Sequence, residues 1–256
     1  MRRQIVGISY KTYVNSIEDA CRLATQIVNL TGEESEVEQV IFPSMGALYP
    51  VAQVLKDSYI SLGAQNISPK KNGPYTGELS IESVIEMGGK FVELGHAERK
   101  SIFKETQDMI NQKTKLTLEL GLSPFLCMGE EDRQEDEALL YNTFASQISL
   151  SLKDVDPEFI SHTVLAYEPF WAIGKPVAAE SEYIHKSHRI IRKALKDLFG
   201  EEISEQVRII YGGSVSKESA PSIMNDENVD GVFIGRFGHI PENYKDIVQI
   251  VKSAKV

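Results

Sequence analysis

Three side chains in this sequence carry the functional groups of acid–base chemistry: Lys11, His96 in Gly95-His96-Ala97-Glu98-Arg99, and Glu168 in Glu168-Pro169-Phe170-Trp171. A carboxylate can take a proton, an imidazole can donate one, and an ammonium can hold developing negative charge. Two further clusters, Gly212-Gly213-Ser214 and Gly235-Arg236, suit an anion. Glycine lets the backbone approach closely, and the N–H groups of a helix start attract negative charge. Taken singly, each feature has a plain structural reading. His96 could cap a helix, Glu168 could be a helix-start carboxylate, Gly212-Gly213 could be a turn, and Lys11 could be a solvated charge. Their place in the chain lifts them above this, because each follows a segment patterned like a buried strand.

Those segments are short apolar or β-branched runs bounded by Gly, Pro or polar residues: 5–9, 37–42, 59–63, 91–95, 124–128, 163–167, 207–211 and 229–234. They read as parallel strands covered on both faces. Helix-period segments separate them. Ser16-Ile17-Glu18-Asp19 predicts a capped helix start, with Ile17, Ala20, Ala24, Ile27 and Val28 on one face. Ser80 opens a short helix that Gly88-Gly89 ends, and residues 180–199 predict a long helix closed by Gly200. Eight such pairs in 256 residues, with no Pro/Gly/Ser-rich linker, predict one (β/α)8 barrel domain over residues 1–256. Two smaller domains or an open doubly wound sheet are the alternatives. The open sheet normally carries a glycine fingerprint after its first strand, and the sequence has neither GxGxxG nor a Walker loop. A barrel builds its site at the C-terminal ends of its strands. Lys11, Gln65-Asn66, His96, Glu98, Cys127 to Glu130, Glu168, Gly213, Ser214, Gly235 and Arg236 all fall there, so a lysine, a histidine and a glutamate converge on one rim. The glycine turns after the last two strands are expected at helix starts, where barrels bind phosphate.

Other features exclude classes of function. The net charge of −10 opposes a nucleic-acid partner, and aromatic residues are not interleaved with basic ones as a base-stacking surface needs. A small anionic substrate stays open, because a pocket can be positive within an acidic surface. Cys21 and Cys127 are too few for a disulfide framework and read as reduced core thiols of a cytoplasmic protein. No apolar run approaches the roughly 18 residues of a membrane span. His185-x-x-His188 lacks an acidic cluster and reads as an exposed helix face rather than a metal site. The acid-rich stretch 130–137 reads as a solvated helix start, and no GxSxG elbow surrounds Ser214.

Several motifs resemble the triosephosphate isomerase family. Residues 166–174, Ala-Tyr-Glu-Pro-Phe-Trp-Ala-Ile-Gly, are similar to its sixth strand and lid. Leu94 to Arg99 resembles its electrophile motif, Tyr211 to Val215 its phosphate turn, and Gly63 to Asn66 with Tyr75 to Glu78 its third strand and following loop. The matches run in family order over nearly the whole chain. The resemblance implies a TIM barrel and an aldose–ketose isomerase of a small sugar phosphate. Glu168 would be the base and a neutral His96 would polarise the carbonyl, the pairing known for the family. Lys11 would stabilise charge and approach the phosphate, Glu98 would pair with Lys11, and Phe170 to Ala178 would be a water-excluding lid. Proton transfer beside a carbonyl needs no metal or organic cofactor. The loop at Tyr75-Thr76 resembles one that reaches a neighbouring subunit, which implies a homodimer.

Three positions depart from the family pattern. Ser9 stands where Asn is usual and is shorter. The lid tip reads Gly174-Lys175-Pro176-Val177 instead of Gly-Thr-Gly-Lys, and Gly235-Arg236 replaces a Gly-Gly pair. All three surround the substrate side, while Glu168 and His96 are intact. The intact pair keeps triosephosphate isomerisation as the expected reaction, while the departures suggest the same reaction on a different sugar phosphate. The same chemistry on a four-carbon ketose phosphate such as L-erythrulose 1-phosphate is the alternative, and a non-catalytic sugar-phosphate-binding barrel is a third reading.

Overall fold

The computed structural model describes residues 2–175 and 177–254. Pro176, one of the departures noted above, lies outside the described residues. Eight strands form the sheet: β1 (Ile5–Ser9), β2 (Glu38–Phe42), β3 (Ile60–Ala64), β4 (Phe91–Leu94), β5 (Ser123–Met128), β6 (Val164–Tyr167), β7 (Arg208–Gly213) and β8 (Gly231–Ile234). Each pairs in parallel with its sequence neighbour, and β8 returns to β1, Ile5 opposite Gly231, to close the barrel. The predicted strand order and number hold, with no bound moved by more than two residues. β4 ends at Leu94 because Gly95 takes a left-handed φ of 68°. β8 starts at Gly231 and not at Val229, and β1 passes too close for a side chain at that first residue: a Cβ on Gly231 would lie 1.8 Å from the Ile5 carbonyl oxygen.

The helices follow from their caps. Ser16 accepts a hydrogen bond from the Asp19 N–H and opens the helix Ile17–Thr31. Ser80 caps Ile81–Glu86, and Gly200, at φ 87°, closes Ser181–Phe199. The helices pack outside the barrel on one continuous apolar layer. Inside it, Phe42, Phe91, Phe125 and Phe233 meet edge to face with centroids 5.0–5.4 Å apart. Glycines make room for them: a Cβ on Gly63 would lie 2.3 Å from the Phe42 ring, and one on Gly7 2.8 Å from Phe233. This aromatic plug is the floor on which the upper residues of the strands stand.

Expectations of burial fail at three positions. His188 is fully buried, not on an exposed face. Its Nδ1–H donates to the Asn228 carbonyl at 3.1 Å, the ring packs edge-on against Tyr167, and burial pushes its pKa down to about 4. Glu130 is buried as well, although its neighbours in the acid-rich stretch are exposed. Cys127 is a core thiol as expected, but Cys21 is only half-buried. Among the described residues no helix is long and apolar enough to cross a membrane.

Candidate active site

A cavity of about 420 Å³ opens at the C-terminal end of the barrel, lined by Ser9, Lys11, His96, Glu98, Glu168, Gly174, Gly213, Ser214, Gly235 and Arg236 among others. These ten residues, all singled out in the sequence, are thus brought to one place; Gln65 and Asn66 line an adjoining cavity instead, and Cys127 to Glu130 line neither. Strands β1, β4, β6, β7 and β8 each deliver their part at or just beyond their last residues.

Lys11 is held in a left-handed backbone conformation, φ 47°, which is uncommon for a residue with a side chain. The Gln65 amide holds it there, donating to the Lys11 carbonyl at 3.1 Å and to the Phe42 carbonyl at 3.0 Å. The Lys11 ammonium donates to Glu98 Oε1 at 2.6 Å. Burial pulls its pKa down, but the bond and charge of Glu98, with the charges of Glu168 and Glu93, outweigh this and leave it raised. Lys11 is therefore a fixed cation at neutral pH.

His96 caps the short helix Ala97–Ser101, and its Nδ1 accepts a hydrogen bond from the Glu98 N–H at 3.1 Å. Nδ1 thus presents its lone pair, and a neutral ring must carry its proton on Nε2. That nitrogen faces Glu168 Oε2 at 3.4 Å. Glu168 is buried, its N–H donates to the Met128 carbonyl at 2.8 Å, and its Oε2 has no hydrogen-bond partner in the protein. Two glycines make its position possible. A Cβ on Gly129 would lie 1.9 Å from the Glu168 carbonyl oxygen, and one on Gly212 would lie 2.5 Å from its Cγ.

The segment after Glu168 is pinned at both ends. On the near side Glu130 Oε1 accepts from Trp171 Nε1 at 2.8 Å, Tyr183 OH at 2.9 Å and Tyr167 OH at 3.2 Å. On the far side the Ala179 N–H donates to Tyr211 OH at 3.1 Å, and Ser214 Oγ donates to the Lys175 carbonyl. Gly174, at φ 73°, turns the chain over the cavity. Opposite, Gly213 lies within β7 and not at a helix start, since the next helix begins only at Ala220. Gly235 leads straight into a 3-10 turn, Arg236–His239. The Arg236 guanidinium sits 5.3 Å from the Tyr13 ring centroid, at the cavity mouth.

Sequence reading missed Glu93 and gave Glu130, Tyr183 and Tyr211 no part in the site beyond their places at a strand end, on a helix face and in a turn motif. Glu130 lay within a stretch read as solvated. Glu93 did leave a signal: it is a lone carboxylate inside an otherwise apolar strand, Phe91-Val92-Glu93-Leu94.

A carboxylate facing a ring N–H, with a cation beside them and glycine-rich backbone opposite, suits proton transfer on a small anion. The comparisons with known proteins agree. The model of the triosephosphate isomerase family matches residues 4–251. Over 255 residues the chain is 44% identical to a "Probable triosephosphate isomerase 2" of Listeria monocytogenes serotype 4b (strain F2365), covering all of both chains. A "Triosephosphate isomerase 2" of Listeria innocua is likewise 44% identical over 255 residues and covered in full. A "Triosephosphate isomerase" of Fusobacterium nucleatum is 35% identical over 251 residues, 97% of this chain and 99% of the relative. With the closed eight-stranded barrel and this arrangement at its mouth, a match of such length places the chain in the triosephosphate isomerase family.

Proposed function

We propose that the protein interconverts dihydroxyacetone phosphate and glyceraldehyde 3-phosphate. The observation that carries this reading is the opposition of Glu168 Oε2 and His96 Nε2 at 3.4 Å within the cavity that also holds the Lys11 ammonium. The Glu168 carboxylate takes a proton from the carbon beside the carbonyl. The His96 Nε2–H donates to the carbonyl oxygen as it gains charge, and an enediolate forms. Lys11 stabilises that charge, the proton of the adjoining hydroxyl passes by way of His96 Nε2 to the former carbonyl oxygen, and the protonated Glu168 returns its proton to the former carbonyl carbon, leaving the aldehyde. Backbone at Gly213, Ser214 and Gly235 takes the phosphate, whose binding energy orients the reacting end. The side chain of Ser214 is engaged with the segment over the cavity, so its backbone is the part left for the ligand. That segment excludes water, which protects an enediolate otherwise prone to lose its phosphate.

A coupled assay offering glyceraldehyde 3-phosphate against L-erythrulose 1-phosphate tests the reading. Fast turnover of the triose supports it. A clear preference for the tetrulose would transfer the same chemistry to a longer substrate, and binding without turnover of either would sink it.

The homodimer belongs to this proposal. Beside the cavity just described lies a second one of about 510 Å³, which Lys11, His96 and Glu98 share. Met45, Ile102, Phe103 and Tyr13 line it and are 57–65% exposed. An apolar rim of this kind suits burial against the loop around Tyr75-Thr76 of a second copy. Sedimentation at twice the 28.6 kDa chain mass is expected, and a monomer at micromolar concentration would remove the claim. On the same reading the whole chain acts as one domain, since its site draws on strands from β1 to β8, and it works in the cytoplasm, where its two thiols stay free.

A further inference from the structure

One carboxylate at the barrel mouth takes no part in the steps above. Glu93 shares the inner face of β4 with Phe91, is 4% exposed, and lines the second cavity beside Ser9, Lys11, His96 and Glu98. Its hydrogen bond comes from Ser9 Oγ, which donates to Oε2 at 3.3 Å. Among the described residues no cation is bonded to it, for the Lys11 ammonium is spent on Glu98. The titratable and charged groups that face it are Lys11 beyond β1, Cys127 on β5, His96 beyond β4 and Glu168 beyond β6.

A buried carboxylate without a cation is a poor anion. Here burial pushes the carboxyl up to about 7, and while the charges of His96 and Lys11 and the Ser9 bond pull it back, that of Glu168 adds to the rise. The ligand sharpens the conflict. A sugar phosphate enters as an anion and becomes an enediolate, so an ionised Glu93 would repel it inside a desolvated site. The neutral acid has the opposite effect, because its O–H is a donor. A carboxylic acid kept neutral in an apolar setting can stabilise an oxyanion in this way.

We propose that Glu93 acts in this site as a carboxylic acid: protonated when the sugar phosphate binds, it donates its O–H to an oxygen of the reacting end, while Ser9 orients its other oxygen. The inference rests on the isomerase reading. The extra proton comes from solvent on binding and stays on Glu93 through turnover, and no bond to carbon forms or breaks there.

Calorimetry with 2-phosphoglycolate at about pH 8, in buffers of different ionisation enthalpy, reads proton uptake directly. The wild type is expected to take up nearly one proton more than Glu93→Gln. Infrared difference spectra of the same complexes should show a protonated carboxyl band in the wild type that Glu93→Gln lacks. In turnover, wild-type kcat/KM should fall about tenfold per pH unit above about pH 7, as loss of one essential proton requires. Glu93→Gln, which keeps a donor and cannot titrate, should stay flat there. Glu93→Leu should lie on the order of 10²-fold below the wild type up to about pH 7, the usual effect of removing one oxyanion donor, and the gap should narrow above that as the wild type loses its proton. Equal proton uptake in wild type and Glu93→Gln, or wild-type rates in Glu93→Leu across the range, would overturn the proposal. A wild type inert toward glyceraldehyde 3-phosphate would instead sink the isomerase reading, and the calorimetric comparison would still decide the state of Glu93.

Discussion

The Glu168 carboxylate owes its usefulness to what does not touch it. Its Oε2 is buried and unpartnered, 3.4 Å from a ring N–H it does not bond. Such an orphan acceptor costs about 1–3 kcal/mol, and it leaves a lone pair free for a substrate C–H. Glu168→Gln keeps the shape and removes the base, so kcat should fall about 10²–10⁴-fold with little change in thermal stability; a variant turning over at the wild-type rate would remove Glu168 from the reaction. Glu93 supplies a second residue-level expectation, independent of activity. Its carboxyl sits at about 7 in the folded chain against an ordinary 4.5, so the native state holds this proton more tightly than the unfolded one. The resulting contribution is full below about pH 4.5 and is lost as pH rises through about 7. Glu93→Leu has no such loss. Its stability relative to wild type should therefore improve by up to about 3 kcal/mol between pH 5 and pH 8, read from denaturant midpoints, and a pH-independent difference would show that Glu93 does not titrate as described.

At the scale of elements, the segment from Phe170 to Ala179 is tied to two different neighbours. Trp171 anchors one end on Glu130, which the helix partner Tyr183 also holds. Ala179 anchors the other on Tyr211 of β7. Tyr211→Phe leaves the Ala179 N–H without that acceptor, a loss of about 1–3 kcal/mol in the covered state. A cover that opens more often admits water during the life of the enediolate. The variant should show a lower kcat and a larger share of turnovers that release inorganic phosphate, and an unchanged phosphate yield would mean the bond does not secure the cover. Much of this segment was legible in advance. Residues 166–174 marked a strand end followed by a lid, and Gly200 marked the end of the long helix. The anchors were not legible, because Glu130 and Tyr211 meet the segment only through barrel closure. Glu130 shows why local reading fails. It begins an acid-rich stretch whose other members face water, and nothing adjacent in sequence distinguishes the one that is buried under Trp171.

At the scale of the whole molecule, an anion must approach a protein of net charge −10. Attraction has to be local. Lys11 inside the cavity and Arg236 at its mouth supply it, the latter steadied on the Tyr13 ring. Arg236→Ala should raise KM several-fold at low salt and flatten the dependence of kcat/KM on ionic strength, since exposed charges act over about a Debye length. Equal salt slopes in both proteins would show that Arg236 does not steer the ligand. The same mouth carries the exposed rim of Met45, Ile102 and Phe103, so the surface that receives the substrate adjoins the surface proposed to receive a second copy.

The sequence alone determined the repeating plan and the reactive types. Hydrophobic period, caps and glycine stops are local properties, and they sufficed to place eight strands, to order them, and to put Lys11, His96 and Glu168 just beyond strand ends. The tertiary structure decided everything that depends on closure of the sheet. Ring closure sets Gln65 under Lys11, Gly129 and Gly212 around Glu168, and Ser9 against Glu93, pairs far apart in the chain. It also buried His188 and Glu130, which local pattern had assigned to water. Burial and distance between strands are not encoded in the period of any one segment. They arise only when the eighth strand meets the first, and with them come the bonds and charge balance that set Glu168, proposed as the base, apart from Glu93, proposed as an acid.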